Sequence, residues 1–293
     1  MRFALVHAEK AHHSVSALCR VLRVSPSGYY AWAKRDPSKR ARTDQLLVTH
    51  IRALHSESRG TYGSPRVHAA LRHGGFAVAR KRVARLMRTC GIVGVTPKRW
   101  RSTTDSEHLW PIAPNLLDRA FDVDSPDRAW VTDITYVWTW EGWLYLAIVL
   151  DLFSRRVVGW AAADHMRTGL VLDALGRALV LRQPGEGLLH HSDQGSQYAS
   201  DDYQRELERR GIVVSMSRRG ECYDNAVAES FFGTIKREML DRASWPTRRS
   251  AHDAIAGYVD GFYNSLRLHS HLGYLSPVDF ERRYHRGQAC QAA

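Results

Sequence analysis

The sequence predicts an α/β protein in which a mixed sheet flanked by helices follows an all-α region of the helix-turn-helix type. Three hairpin-type strands followed by alternating helices and strands predict the sheet, and a first hundred residues of short paired helices predict the all-α region. The division that follows is a helical region 1–99, a linker 100–128, a core with C-terminal helices 129–285 and a tail 286–293.

Charge separates the same two parts of the chain. Residues 1–101 carry 21 Lys and Arg against 4 Asp and Glu, a net charge of +17, whereas residues 102–293 carry 21 against 26, a net charge of −5. A basic N-terminal third indicates a polyanionic partner, with nucleic acid as the first candidate. A surface that is basic only for solubility is the alternative.

Composition narrows the class of protein. The chain has 293 residues, 44% hydrophobic and 25% charged, which is typical of a globular protein with two domains and not of a disordered one. Its four cysteines form no CxxC pair, which fits a reducing compartment. No segment reaches the ~20 apolar residues of a membrane span, and the opening apolar run is too short for a signal peptide. We therefore expect a cytoplasmic protein with no membrane partner.

The first helices are predicted from capping residues. Ser14 can cap a helix with apolar positions at helical spacing, and Ser25 can cap a second helix with Pro26 at its first position. A longer helix is expected over residues 44–55.

A second helix pair carries most of the basic side chains. Its first helix begins at Ser64 and runs through Leu71, a His73-Gly74-Gly75 break follows, and its second helix begins near Val78. That second helix presents Arg80, Lys81, Arg82, Arg85 and Arg88 around an apolar side of Val83, Leu86 and Met87. Helix, glycine turn and basic helix is the pattern of a helix-turn-helix DNA reader. An amphipathic helix with merely solvated charges is the alternative, and the charge asymmetry favours DNA.

The remaining elements follow the predicted linker 100–128, which contains three prolines. Strands are predicted at 130–139, 143–151 and 156–161, with a tight turn at Glu141-Gly142. The further elements are a helix 168–181, a strand 188–191, a helix 203–210, a strand 212–217, a helix capped by Asp224 and running to about Arg242, and a helix 249–263.

Three acidic residues are candidate metal ligands, although each alone has an ordinary explanation. Asp133 lies inside an apolar strand, where an ionised carboxylate is costly unless it is paired or binds a metal. Asp193 follows a short strand and precedes Gln194-Gly195, which also suits simple turn capping. Glu229 lies on the helix DNAVAESFFGTIKRE, where a solvated glutamate is common.

Together the three acids form a recognisable spacing. Asp133 and Asp193 are separated by 59 residues, Asp193 and Glu229 by 35, and Lys236 follows seven positions after Glu229. This D, D, 35, E arrangement resembles the core of retroviral integrases and of many insertion-sequence transposases. The stretches WVTDITYV, GWLYLAIVLDLFSRRVVGW, HHSDQGSQY, SMSRRGECYDNAVAESFFGTIKRE and YNSLRLHSHLGYLSPVDFE resemble the OrfB product of a large insertion-sequence transposase family. The segments SALCRVLRVSPSGYYAW and RGTYGSPRVHAAL are similar to the helix-turn-helix region of that family, so the resemblance covers essentially the whole chain.

The resemblance implies an RNase H-like core and a DNA transposase. In that interpretation Asp133, Asp193 and Glu229 bind Mg²⁺, with Mn²⁺ as a substitute, and catalyse cleavage and strand transfer at the terminal inverted repeats of an element. Two Mg²⁺ ions about 4 Å apart can activate the nucleophile and stabilise the leaving oxygen, and oxygen ligands suit them. Expected partners are double-stranded DNA, further copies of the chain and the upstream OrfA product, at the nucleoid. A DNA-binding regulator without chemistry and a plain nuclease are the alternatives.

The sequence also suggests roles for other polar residues near the three acids. Lys236 is expected to contact DNA near the acids, although a solvated helix charge would look the same. Asp151 is interpreted as structural, and Asp224 and Asn225 as residues that start the helix of Glu229. His190 and His191 invite a zinc interpretation. Adjacent strand residues point to opposite faces, which argues against it.

Overall fold

The protein is described by a computed structural model over residues 2–96, 113–218 and 225–292. The chain forms two compact units, Met1–Ile51 and Arg52–Ala293. The first unit contains helices α1 (Arg2–Glu9), α2 (Val15–Val21), α3 (Pro26–Ala33) and the beginning of α4 (Lys39–Glu57). The second unit contains the end of α4 and all later elements, so the two predicted helix pairs belong to different units. The domain boundaries predicted from the sequence stay a prediction.

Side-chain capping starts α2 and α3 of the first unit. The Ser14 hydroxyl accepts a hydrogen bond from the Ala17 N–H, and the Ser25 hydroxyl accepts one from the Gly28 N–H. Each bond satisfies a backbone donor that has no partner within its helix. Val6, Cys19 and Tyr29 then form a small buried core among α1, α2 and α3.

The second helix pair consists of α5 (Ser64–His73) and α6 (Arg80–Thr89). Gly75 has a φ of +83°, a conformation that glycine adopts without strain, and it separates the two helices as the sequence predicts. Helix α6 begins two residues later than expected and buries Val83, Leu86 and Met87.

The core is a five-stranded mixed sheet, which confirms the predicted fold class. Its strands are β1 (Ala129–Thr139), β2 (Gly142–Asp151), β3 (Val157–Ala163), β4 (Leu189–Ser192) and β5 (Val213–Met216), in the spatial order β3-β2-β1-β4-β5. Strands β1, β2 and β3 are antiparallel neighbours, whereas β4 pairs in parallel with both β1 and β5. Residues Trp140 and Glu141 connect β1 to β2, and Gly142 begins β2 with a φ of +103°.

Helix α7 (Thr168–Arg182) packs against β2 and β3. A Cβ atom at Gly159 of β3 would lie 2.2 Å from the Ala174 carbonyl oxygen, so the absence of a side chain allows this close approach. The buried residues of this layer include Trp130, Ala147, Val149, Val158, Leu170, Ala174, Leu175 and Ala178.

The C-terminal part adds helices around the sheet. They are α8 (Ser196–Ala199), α9 (Asp201–Arg209), α10 (Ala226–Glu238), α11 (Arg248–Tyr258) with a π-helical turn Val259–Tyr263, and α12 (Pro277–Ala292). Helix α12 extends through most of the predicted tail. Residues 113–128, the described part of the predicted linker, contain no helix or strand.

Helix α10 ends earlier than predicted, which corrects the expected end near Arg242. The backbone leaves the helical region at Met239 (φ −142°), and a short 3₁₀ turn Leu240–Arg242 follows. Side chains donate hydrogen bonds to the backbone carbonyls at this end. The Arg242 guanidinium donates to the Glu238 carbonyl oxygen at 3.3 Å, and the Trp245 indole donates to the Leu240 carbonyl oxygen at 3.1 Å. Asp224, the predicted cap, lies outside the described residues. Within them, no helix combines the length and apolar character that a membrane crossing needs.

Candidate active site

Two acidic residues are brought together by the register of the parallel strands. Val131 of β1 pairs with His191 of β4, and Asp133 and Asp193 each lie two residues further along. Because side chains alternate along strands, this pairing directs both carboxylates from neighbouring positions to the same side. Backbone groups orient each one, since Asp133 Oδ1 accepts the Ile134 N–H at 2.7 Å and Asp193 Oδ1 accepts the Gly195 N–H at 3.0 Å.

The third acid comes from α10. Glu229 lies in the first turn of this helix and is half-buried, while Phe231 and Ile235 anchor the helix in the core. The start of α10 is tied to β1, because the Asn225 side-chain amide donates to the Thr132 carbonyl at 3.0 Å. Asn225 therefore connects the strand of Asp133 to the helix of Glu229.

One cavity of about 580 Å³ collects these residues. Its lining includes Asp133, Asp193, Glu229 and Lys236, together with Tyr136, Trp143, Gln197 and Tyr198. The basic residues of α6 are not among the residues that line it. On α6 itself, Arg80, Lys81 and Arg85 are exposed and Arg82 is partly buried.

The carboxylates repel one another in this cavity. Burial raises the pKa of Asp133 well above its usual value, and the charges of Asp193 and Glu229 raise it further, against the opposing effects of the Ile134 N–H and Lys236. Burial and the charge of Asp193 also raise the pKa of Glu229. A cavity that disfavours its own negative charges is suited to a positively charged ligand.

Tyr198 was not among the residues predicted for this site. Its hydroxyl lies 3.2 Å from the Thr132 hydroxyl, and burial followed by the charges of Asp133 and Asp193 raises its pKa. It stays a neutral phenol and lines the same cavity as the two carboxylates. The segment DQGSQY offers no spacing signal that would have identified it.

The histidines and Asp151 have structural partners. The His190 Nε2 atom lies 3.1 Å from the Tyr203 hydroxyl, and the His191 Nδ1 atom lies 2.8 Å from the Ser215 hydroxyl. Burial lowers the pKa of His190 to about 3, so this ring is neutral. Asp151 accepts hydrogen bonds from the Asp127 and Ser154 N–H groups. These contacts fit the structural interpretation of Asp151 and give both histidines partners within the protein.

Comparisons with known proteins agree with the architecture. A family model described as "Integrase core domain" matches residues 123–222, a second model of that description matches residues 210–277, and an "HTH-like domain" matches residues 41–100. The "Insertion element IS600 uncharacterized 31 kDa protein" of Shigella sonnei is 43% identical over 269 residues, covering 92% of this chain and 99% of that protein. The "Transposase InsF for insertion sequence IS3A" of Escherichia coli (strain K12) is 38% identical over 285 residues, covering 97% and 99%.

Solved structures give more distant likenesses. The simian T-cell lymphotropic virus intasome matches with a TM-score of 0.46 and 15% identity, over 79% of this chain and 74% of that one. The HTLV-2 integrase catalytic core domain, solved in complex with magnesium, matches with a TM-score of 0.41 and 19% identity, over 54% and 97%.

The family models and the sequence relatives define the class first. The chain is an enzyme of the transposase and integrase type, a polynucleotidyl transferase whose integrase core follows an HTH-like domain. Within that class it belongs to the transposases of IS3-type bacterial insertion sequences.

Proposed function

We propose that Asp133, Asp193 and Glu229 bind divalent metal ions and catalyse DNA cleavage and strand transfer at the terminal inverted repeats of the element that encodes this chain. One observation carries the proposal. The β1–β4 register sets two carboxylates side by side, and α10 adds a third to the same cavity.

The donor set fits Mg²⁺, with Mn²⁺ as a substitute, because hard cations prefer carboxylate oxygens. Across residues 2–96, 113–218 and 225–292, no group of three His, Cys, Asp or Glu side chains is already placed to hold an ion. Binding would therefore bring the carboxylates closer together, and neutralising the repulsion among the three acids would favour this movement. The N–H groups of Ile134 and Gly195 hold one oxygen of each aspartate, which orients the carboxylates for this task.

The chemistry needs no covalent intermediate with the protein. When bound, Mg²⁺ supplies Lewis-acid stabilisation for an in-line displacement at phosphorus. A water molecule attacks the phosphodiester, the bond from phosphorus to the 3′ oxygen breaks, and a 3′-hydroxyl is released. That hydroxyl then attacks a target phosphodiester: its oxygen forms the new bond to phosphorus, the bond from phosphorus to the target strand's own 3′ oxygen breaks, and the attacking hydroxyl's proton ends on that leaving oxygen as a free 3′-hydroxyl. Asp133, Asp193 and Glu229 hold the ions, and Lys236 contacts a nearby DNA phosphate.

Sequence-directed binding is assigned to α6. Arg80, Lys81 and Arg85 are exposed on this helix, and Arg82 is partly buried. Helix α6 follows the glycine turn, which is the place of the recognition helix in a helix-turn-helix motif. Because two element ends must be joined to one target, we further propose that the chain acts as a homo-oligomer on nucleoid DNA, alone or together with the OrfA product.

The test is a reaction on labelled DNA that carries the inverted repeat of the encoding element, with and without Mg²⁺. The wild-type chain should nick and join this DNA only with the metal ion. Asp193→Asn should abolish both steps and still bind the DNA. Asp202→Asn, which changes an exposed aspartate on α9, is the matched control and should keep activity. Strand transfer by Asp193→Asn would refute the catalytic assignment, binding without chemistry by the wild type would indicate a regulator, and nicking without joining would indicate a nuclease.

A further inference from the structure

An exposed aromatic patch lies beside the acidic cavity. The β1–β2 register pairs Tyr136 with Tyr145 and Trp138 with Trp143, so the four rings lie on one face of the hairpin. Tyr136, Trp138 and Trp143 remain 44%, 58% and 42% exposed. We call these three side chains the aromatic platform. Such a group of exposed rings is costly to leave in water and marks a binding surface.

The rings of the platform contact one another. The Trp143 ring centroid lies 5.0 Å from that of Tyr136 and 4.8 Å from that of Trp138, both in edge-on geometry. Hydrogen bonds brace the hairpin around them, because Arg248 donates to the Trp143 carbonyl at 3.0 Å and to Glu141 at 2.8 Å. The platform is therefore a preformed surface and not a set of independent side chains.

The platform is continuous with the acidic cavity. Tyr136 and Trp143 line that cavity, and Tyr136 and Trp138 also line a second cavity of about 280 Å³. Lys236 lines both, with its Nζ atom 5.4 Å from the centre of the Tyr136 ring. A cation between the acids and the aromatic platform provides a place for a phosphate at the boundary.

The chemistry of the second cavity favours bases over the sugar-phosphate backbone. Four of its ten lining residues are aromatic, with Trp140 and Trp245 beside Tyr136 and Trp138, and Asp241 adds a carboxylate that repels phosphate. Nucleobases stack on aromatic rings regardless of sequence, because every base has a π-face. Paired bases inside a duplex do not expose that face, so the ligand must be unpaired.

We propose that the aromatic platform binds unpaired bases of the DNA strand next to the reacting phosphate. The proposal rests on the proposed function, which places that phosphate at Asp133 and Asp193. Tyr136 and Trp138 lie three and five residues beyond Asp133, or about 10 and 17 Å along the strand. Because stacked bases are at least ~3.4 Å apart, the bases on the platform would lie within about five nucleotides of the reacting phosphate.

The test compares two DNA probes in EDTA, so that no cleavage occurs. One probe is a blunt duplex, and the other is the same duplex with a short single-stranded 3′ tail of thymidines. The wild-type chain should prefer the tailed probe. Trp138→Ala together with Trp143→Ala should weaken binding of the tailed probe by about 5- to 150-fold, from about 1–3 kcal/mol per stacked base. Affinity for the blunt probe should not change.

Three further measurements make the result specific. Trp143→Phe keeps a stacking face and should retain most of the preference for the tail. Val180→Ala, at an exposed apolar side chain of α7, is the control and should bind both probes as the wild type does. A fluorescent 2-aminopurine in the tail should be quenched by the wild type and not by the double variant.

Two outcomes would overturn the proposal. Equal weakening for the blunt and tailed probes would remove unpaired bases from the platform. Loss of a protein dimer in sedimentation without DNA, with the tail preference intact, would make the platform a contact between copies of the chain. Neither outcome depends on cleavage, so the Asp193→Asn reaction still decides the proposed function separately.

Discussion

Glu238, the last residue of α10, provides a strong test of how the second unit is held together. The Arg267 guanidinium donates two hydrogen bonds to its carboxylate at 2.8 and 2.7 Å, and the Tyr258 hydroxyl donates a third at 2.8 Å. Arg66 of α5 lies 3.8 Å away. Glu238 and Arg267 are both buried, with side chains only 6% and 5% exposed.

Glu238→Gln removes the charge from this network and leaves Arg267 as a buried cation without its carboxylate partner. Breaking a buried pair in this way costs about 3–5 kcal/mol. At a urea dependence of about 2 kcal/mol per molar, the unfolding midpoint should fall by roughly 1.5–2.5 M. Asp202→Asn, which removes the carboxylate of an exposed pair with Arg205, should cost under about 1 kcal/mol.

A double-mutant cycle with Arg267→Met tests the reason for the loss. The double variant should lose less than the sum of the two single variants, because neither charge is then left alone. Costs that add within about 0.5 kcal/mol, or a Glu238→Gln cost below about 1 kcal/mol, would refute the explanation. Burial raises the Glu238 pKa, but the hydrogen bonds and charge of Arg267 outweigh it, and the net pKa is below 4.5. The stability from this pair should therefore be complete above pH 4.5 and be lost as the pH falls below that value.

Three further predictions concern packing, the acidic cavity and DNA binding. Gly159→Ala should destabilise the protein by about 1–3 kcal/mol or more in urea unfolding, because the new Cβ atom meets the α7 backbone. Gly176 has open space around it, so the control variant Gly176→Ala should stabilise the protein by up to about 1 kcal/mol. Asp133→Asn should raise the melting temperature of the metal-free protein at pH 7 and abolish the further increase with Mg²⁺. The pKa of Asp133 is raised in the folded protein, so ionising this carboxylate costs stability as the pH rises through the folded-state pKa. An unchanged melting temperature would contradict the repulsion among the acids. Arg85→Ala should weaken binding to the element ends and lower the slope of log affinity against log salt by about one, and an identical slope would remove Arg85 from the interface.

The parts of the fold that sequence could predict are those set by local pattern. Strands β1 and β2 alternate or repeat apolar residues over ten positions, and Ser14 and Ser25 cap helices that begin one residue later. The end of α10 could not be found this way. It depends on Arg267 and on side-chain donors that reach its last carbonyls from residues further along the chain.

In the candidate site, too, the sequence predicted the features set by residue spacing and not those set by packing. The spacing of Asp133, Asp193 and Glu229 predicted their grouping, and the structure places all three around one cavity, while their catalytic role stays a prediction. Tyr198 and the aromatic platform were missed. The alternation that places Tyr136 and Trp138 on one face was present in the sequence, but their exposure depends on which elements pack on that face, which the sequence does not show.

Helix α10 connects the separate parts of the proposed mechanism. It carries Glu229 into the acidic cavity, Lys236 about 10 Å further along its axis to the ring of Tyr136, and Glu238 about 13 Å along to Arg66 of α5. Arg66 also donates to the Leu268 carbonyl at 2.9 Å, so this residue of α5 contacts both the end of α10 and the segment that follows the π-helical turn. Helix α6 packs on α5. A DNA end bound by α6 would thus be connected to the acids through α5, the contact between Arg66 and Glu238, and α10. Glu238 is therefore the place where loss of stability and loss of correctly positioned cleavage should coincide.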